Sequence, residues 1–191
     1  MILLISGLVL FLGIHSVSIV APAWRDAMVA RLGAAAWKGI YSIVALIGFL
    51  MIWNGYSLAR LDPSIVYVPP AGLRHVAGLL MLPVFPLLIA TYLPGRVQAL
   101  AKHPMLVALK FWALAHLLAN GMLADVLLFG SLLAWAVADR ISLKRRAARA
   151  HPMLPRLSIN DAIAIVGGLL LYGLFVGGWH LYLFGVAPFG I

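Results

Sequence analysis

Residues 2–20 read ILLISGLVLFLGIHSVSIV, a run with no acidic or basic side chain. As an α-helix at 1.5 Å per residue it would reach roughly 28 Å, close to the ~30 Å hydrocarbon layer of a bilayer. A cleaved signal peptide would need a basic start and a small-residue cleavage site. Neither is evident here, so the stretch is read as a membrane span.

The rest of the chain repeats this pattern. Further apolar runs extend from about Trp37 to Leu58, Leu73 to Leu93, Pro104 to Asn120–Gly121, Leu123 to Ala138 and Asp161 to Phe184. The fourth and fifth spans are short and almost directly joined, which reads as a helical hairpin. The expected fold is all-α, a polytopic bundle of about six transmembrane helices forming one domain over residues 1–191. Composition agrees: 64% of the 191 residues are hydrophobic and 10% are charged. A soluble domain carries nearer ~25% charged residues, so a soluble enzyme is excluded as a class.

The basic residues set an orientation. Arg25, Arg31 and Lys38 lie between the first two spans, Arg96, Lys102 and Lys110 at or near the third connection, and Arg140, Lys144, Arg145, Arg146, Arg149 and Arg156 after the fifth span. Only Arg60 and Arg74 fall in the connection between spans two and three. The positive-inside rule puts the larger group in the cytoplasm, with both termini on the non-cytoplasmic side. The +9 net charge is then an anchor for lipid headgroups rather than a nucleic-acid surface. Trp24, Trp37 and Trp179 fit interfacial aromatic belts.

Local signals punctuate the connections. Asp62–Pro63, Pro69–Pro70 and Pro94–Gly95 mark breaks. A short basic surface helix is expected within 141–157, ended by Pro152 and Pro155. Ser158 or Asn160 is expected to cap the sixth helix, Asp125 to cap the fifth, and Asp139 to form an ion pair with Arg140 or a helix-end feature.

Several chemistries are absent from the composition. There is no Glu and no Cys, and the carboxylates are Asp26, Asp62, Asp125, Asp139 and Asp161. Carboxylate-rich di-iron cages, disulfides and cysteine-ligated metal sites are therefore excluded. Histidine remains. Ionisable groups inside a bilayer are costly, which makes His15 in span one and His116 in span four default site candidates. Neutral imidazole ligates iron, copper or zinc, and two imidazoles on separate helices could grip a haem from opposite faces. Gly7 and Gly13, with Ala113, Ala115 and Ala119, would let a flat macrocycle approach. Trp53, Trp112 and Trp135 lie deep enough to pack on a ring ligand. The alternative is that both histidines are buried and hydrogen-bonded to backbone or to Asn120. His103, before Pro104, is a competing ligand. His75, His151 and His180 read as interfacial. Arg25, Lys38, Arg96, Lys102 and Lys110 could receive haem propionates, although headgroup phosphates want the same charges.

Gly13-Ile14-His15-Ser16, Trp37-Lys38-Gly39-Ile40-Tyr41-Ser42, Lys102-His103-Pro104 and the run from Lys110-Phe111-Trp112 through His116 to Asn120-Gly121 resemble the NnrU family of membrane proteins. Phe129-Gly130-Ser131 and Asp139-Arg140-Ile141-Ser142 extend the likeness over nearly the whole chain. The resemblance implies a multi-pass protein of the bacterial inner membrane linked to denitrification and nitric oxide metabolism. The family also includes a plant zeta-carotene isomerase, a haem b enzyme that turns one cis double bond to trans. By motif, its haem-holding histidines correspond to His15 and His116. The cysteine that the isomerase carries three residues before the second of these is Ala113 here.

Three functional classes follow. The first is a haem b protein, in nitric oxide metabolism or as an isomerase of an apolar polyene or quinone-like molecule. The second is a non-enzymatic accessory or assembly factor for nitric oxide reductase, with no permanent cofactor. The third, a small transporter or channel, is poorly served by so few polar groups inside the spans.

Overall fold

The computed structural model describes residues 1–146 and 154–189, and within them every regular element is helical. The helices are α1 (Ile2–Val20), α2 (Pro22–Leu32), α3 (Ala34–Ala59), α4 (Leu73–Met81), α5 (Val84–Ala90), α6 (Arg96–Ala101), α7 (Pro104–Ala119), α8 (Leu123–Leu143) and α9 (Ile159–Phe184). Among the described residues, five stretches are long and apolar enough to cross a membrane: α1, α3, α4 with α5 taken together (Leu73–Ala90), α8 and α9. The sixth expected span, α7, is apolar but shorter. The expected basic helix falls mostly on residues 147–153, outside the described residues; Leu154–Leu157 is not helical.

The chain forms two compact units. The first comprises residues 1–67 and 122–146, the second 68–121 and 147–191.

In the first unit, α1 and α3 meet along a seam of glycines. A Cβ on Gly7 would stand 2.7 Å from the Ile52 amide nitrogen, and one on Gly48 would stand 2.8 Å from that of Phe11; Gly55 abuts the Leu4 backbone. Lipid offers helices no hydrophobic incentive to associate, so close backbone approach supplies the dispersion energy. Gly7 therefore packs against protein and does not open a face to a ligand, contrary to the expectation for a macrocycle.

Polar ties close both ends of this unit. Tyr56 Oη donates to Asp125 Oδ1 at 2.6 Å, and Asp125 Oδ2 accepts from the Met122 amide at 2.9 Å, so Asp125 caps α8 as expected. The Leu123 amide donates to the Ser64 carbonyl at 2.8 Å, tying the α3–α4 connection to the start of α8. At the other end Arg146 donates to the Ser18 carbonyl and to Asp139 Oδ1, each at 2.9 Å. Asp139 thus pairs with Arg146 and not with Arg140. Adjacent residues on a helix point apart, whereas Arg146, in the turn just past the end of α8, comes back to Asp139. Trp37 is buried, with Trp24 at 5.8 Å covering it edge-on from α2.

In the second unit, Leu82–Pro83 interrupts the third span, where Pro83 supplies no amide hydrogen. Val84, Leu87 and Ala108 form the packed centre between α5 and α7. Gly168 of α9 lies directly on Pro86, and Tyr172 Oη donates to the Gly78 carbonyl at 3.1 Å. Neither Ser158 nor Asn160 caps α9 through its side chain. Asn160 instead donates to the carbonyls of Pro94 and Pro155 at 2.8 and 3.1 Å. Asp161 accepts from the Arg96 and Val97 amides, both at 2.9 Å, and so caps α6 from across the unit.

Helix α9 is irregular. Two π-helical turns, Ile163–Gly167 and Phe175–Trp179, widen it, and Gly178 leaves helical geometry altogether at φ 146°. Such turns recur at functional positions in helices.

Candidate metal-binding histidines

His15 sits in the first unit on α1. Its Nδ1 lies 2.6 Å from the Phe11 carbonyl. A carbonyl only accepts, so Nδ1 carries the proton and the lone pair of the neutral ring is on Nε2. A backbone carbonyl at the remote nitrogen is the common support of a metal-ligating imidazole. Three aromatic rings surround it: Phe11 at 4.2 Å, Tyr41 at 5.1 Å and Trp135 at 5.8 Å, the last two edge-on. Trp135 Nε1 is buried without a hydrogen-bond partner among the described residues. An orphaned donor of this kind usually marks a missing acceptor. Gly13 faces open space.

His116 sits in the second unit on α7. Its Nδ1 donates to the Trp112 carbonyl at 2.8 Å, and the Trp112 ring lies 4.9 Å away. The lone pair is again on Nε2. Both imidazoles are thus bonded to backbone, as the alternative reading expected, and the Asn120 amide donates to the His116 carbonyl at 2.9 Å. Ala113 and Ala115 are completely buried in helix packing and present no face to a macrocycle.

His180, read from the sequence as interfacial, lies beside His116 in the structure, a proximity the sequence does not announce. Its ring centre lies 6.5 Å from that of His116, within the same unit, and its Nδ1 donates to the Val186 carbonyl at 2.6 Å. The only sequence signal was Gly177-Gly178 just before it, which announces a backbone departure but not its direction.

His103 forms the N-terminal boundary of α7, and His75 stacks obliquely on Phe189 at 5.9 Å. His151 lies outside the described residues. Of the propionate candidates, Arg25 is engaged with Asp26 at 2.8 Å, Lys38 is exposed on α3, and Lys110 is half-buried on α7. Among the described residues no three His, Cys, Asp or Glu side chains gather as a metal cluster.

The long apolar helices define a multi-pass, all-helical membrane protein. Within that class, residues 3–188 match the NnrU protein family, and the chain belongs to it. No curated protein and no solved structure matches the chain.

Proposed function

We propose that this NnrU-family membrane protein binds haem b through transmembrane histidines and serves nitric oxide metabolism in the bacterial inner membrane. The observation that carries the proposal is the common seating of the imidazoles. His15 and His116, the residues the family resemblance names, each donate Nδ1–H to a backbone carbonyl and so direct a lone pair through Nε2. The orphaned Trp135 donor, whose ring stands 5.8 Å from His15, is what an acceptor on a bound group would complete. When bound, the haem supplies an iron that takes small ligands or exchanges one electron. The protein's own part is to fix the ring tautomers, exclude water and hold the carboxylate edge near Lys38 or Lys110.

The orientation follows the basic residues, with both termini on the non-cytoplasmic side. In the first unit the joined ends of α1 and α8, at Ser18 and Arg146, belong to the basic side, which fits this arrangement.

A second reading, isomerisation of an apolar polyene reached through lipid, is disfavoured by Ala113. It stands where the isomerase has a thiol and is fully buried. An accessory role in nitric oxide reductase assembly needs no haem at all.

The test is an optical spectrum of detergent-purified protein expressed with ample haem supply, beside His15→Ala and His116→Ala. A Soret band that weakens in either variant supports the proposal. Its absence from the wild type refutes it. Loss of nitric oxide reductase activity in deletion cells, with transcript unchanged and no haem in the purified protein, would establish the accessory role instead.

A further inference from the structure

We propose that the cleft between Arg96 and Arg156, in the second unit, is a binding site for the phosphate of an anionic phospholipid. The inference stands apart from the haem reading and concerns the place where α6 meets the start of α9. Basic residues spread over a membrane surface attract anionic lipid diffusely. This cleft differs because its two arginines are held in place.

The cleft is open, has a volume of about 660 Å³, and is lined by Arg96, Val97, Arg156, Leu157, Ser158 and Ile165, with Gly95 and Asp161 beneath. Its two walls come from distant parts of the chain and are tied together by buried or fully engaged polar groups. Asn160, only 3% exposed, donates to the Pro94 carbonyl on one wall and to the Pro155 carbonyl on the other. Pro94 stands two residues before Arg96, and Pro155 directly precedes Arg156. Asp161 adds two more ties through the Arg96 and Val97 amides. Gly95 makes room for them, since a Cβ there would stand 2.3 Å from Asp161 Oδ1. Long-range attraction of headgroups would need none of this fixing.

The charge inside the cleft selects an anion. Asp161 lies within electrostatic range of both guanidinium groups, yet forms an ion pair with neither among the described residues. Each of its oxygens is already occupied by a backbone amide. Two arginines against one carboxylate leave a net positive charge. Both arginines are exposed, and neither guanidinium has an acceptor among the described residues. The planar forks of arginine match the oxygens of a phosphate. Ser158, whose side chain caps nothing, brings a hydroxyl to the same rim.

The surroundings select a lipid as the source of that phosphate. Arg156 comes three residues before α9 begins at Ile159, and Arg96 six residues after α5 ends at Ala90. Both apolar stretches are long enough to cross a membrane, so the arginines fall at headgroup depth. Leu157, Ile159 and Ile165 are exposed beside them and would lie along an acyl chain. A soluble phosphate would gain nothing from those side chains.

The experiment is native mass spectrometry of the full-length protein in neutral detergent, titrated with phosphatidylglycerol or with phosphatidylcholine. The wild type is expected to bind phosphatidylglycerol saturably and in preference to phosphatidylcholine. Replacing both arginines, Arg96→Gln with Arg156→Gln, is expected to weaken that binding about tenfold or more, as charge-assisted hydrogen bonds are lost. Arg96→Lys with Arg156→Lys keeps the charge and loses the forks, so it is expected to fall between the two. It also covers the case in which the glutamine variant fails to fold. Arg31→Gln, which removes a charge from α2, is expected to bind as the wild type does. Equal binding of the two lipids, or glutamine and lysine variants that both bind like Arg31→Gln, overturns the site. Inorganic phosphate or glycerol 3-phosphate displacing the lipid at equal concentration overturns the lipid assignment and marks a site for soluble anions. None of these outcomes bears on the Soret band, so the haem reading stands or falls separately.

Discussion

Helices α3 and α9 have the same length and similar hydropathy, yet their C-terminal halves use glycine in opposite ways. On α3, Gly48 and Gly55 are pressed against the backbone of α1, and a methyl group at either would collide with main-chain atoms. On α9, Gly173, Gly177 and Gly178 touch nothing at that distance, and Gly178 departs from the helix. In that half of the first helix glycine permits contact; in that half of the second it permits shape, while Gly168 nearer the start of α9 is a contact glycine against Pro86. Hydropathy does not distinguish these roles, because it counts only what the residue lacks.

Substitution tests this contrast directly. The largest effect is expected from Gly48→Leu. The obstacle is the Phe11 backbone, which cannot rotate away, so the overpacking cost should reach about 3 kcal/mol or more. Unfolding in mixed micelles of dodecyl sulfate would measure it, and a stability near that of the wild type would refute the seam. Next comes Asp125→Ala, which strands the Tyr56 hydroxyl and the Met122 amide that Asp125 now satisfies. Leaving those two donors unpaired should cost about 2–4 kcal/mol, and Tyr56→Phe, which removes one bond only, about 1 kcal/mol. Arg146→Ala should cost about 1–2 kcal/mol, as the Asp139 pair is largely but not fully buried. Limited proteolysis after α8 is a sensitive probe of that loss. Smallest of all is Gly177→Ala, expected within about 0.5 kcal/mol of the wild type because open space awaits the methyl. A large destabilisation there would show that α9 is packed as tightly as α3.

The spans were legible because lipid demands long uncharged runs, and Ile2–Val20 is recovered to the residue. Helix α8 continues to Leu143, beyond the expected end near Ala138, because Arg140 can stretch its charge outward while its stem stays apolar. Helix α2 was not foreseen. Its polar composition gives no hydropathy signal, though Pro22 at its first turn and Gly33 at its end are ordinary boundary marks. Helix α6 is shorter still, and its cap, Asp161, lies 65 residues from Arg96. Of the candidate site, His15 and His116 stood out as polar residues in apolar runs. His180 did not, since its neighbour His116 is brought to it by packing and its carbonyl partner by a turn. The π-helical turns likewise have no residue signature; they are shifts of hydrogen-bond register.

The clasp between Arg146 and the Ser18 carbonyl joins positions 128 residues apart. It bears on how the chain is made. The first helix enters the bilayer early in synthesis, but the arginine that ties off its far end leaves the ribosome only after α4 to α7 have been delivered. The opening helical pair must therefore wait, partly assembled, while the intervening segments insert. A nascent chain halted before residue 146 would hold that pair without its closing tie, the state in which membrane quality control has most to recognise.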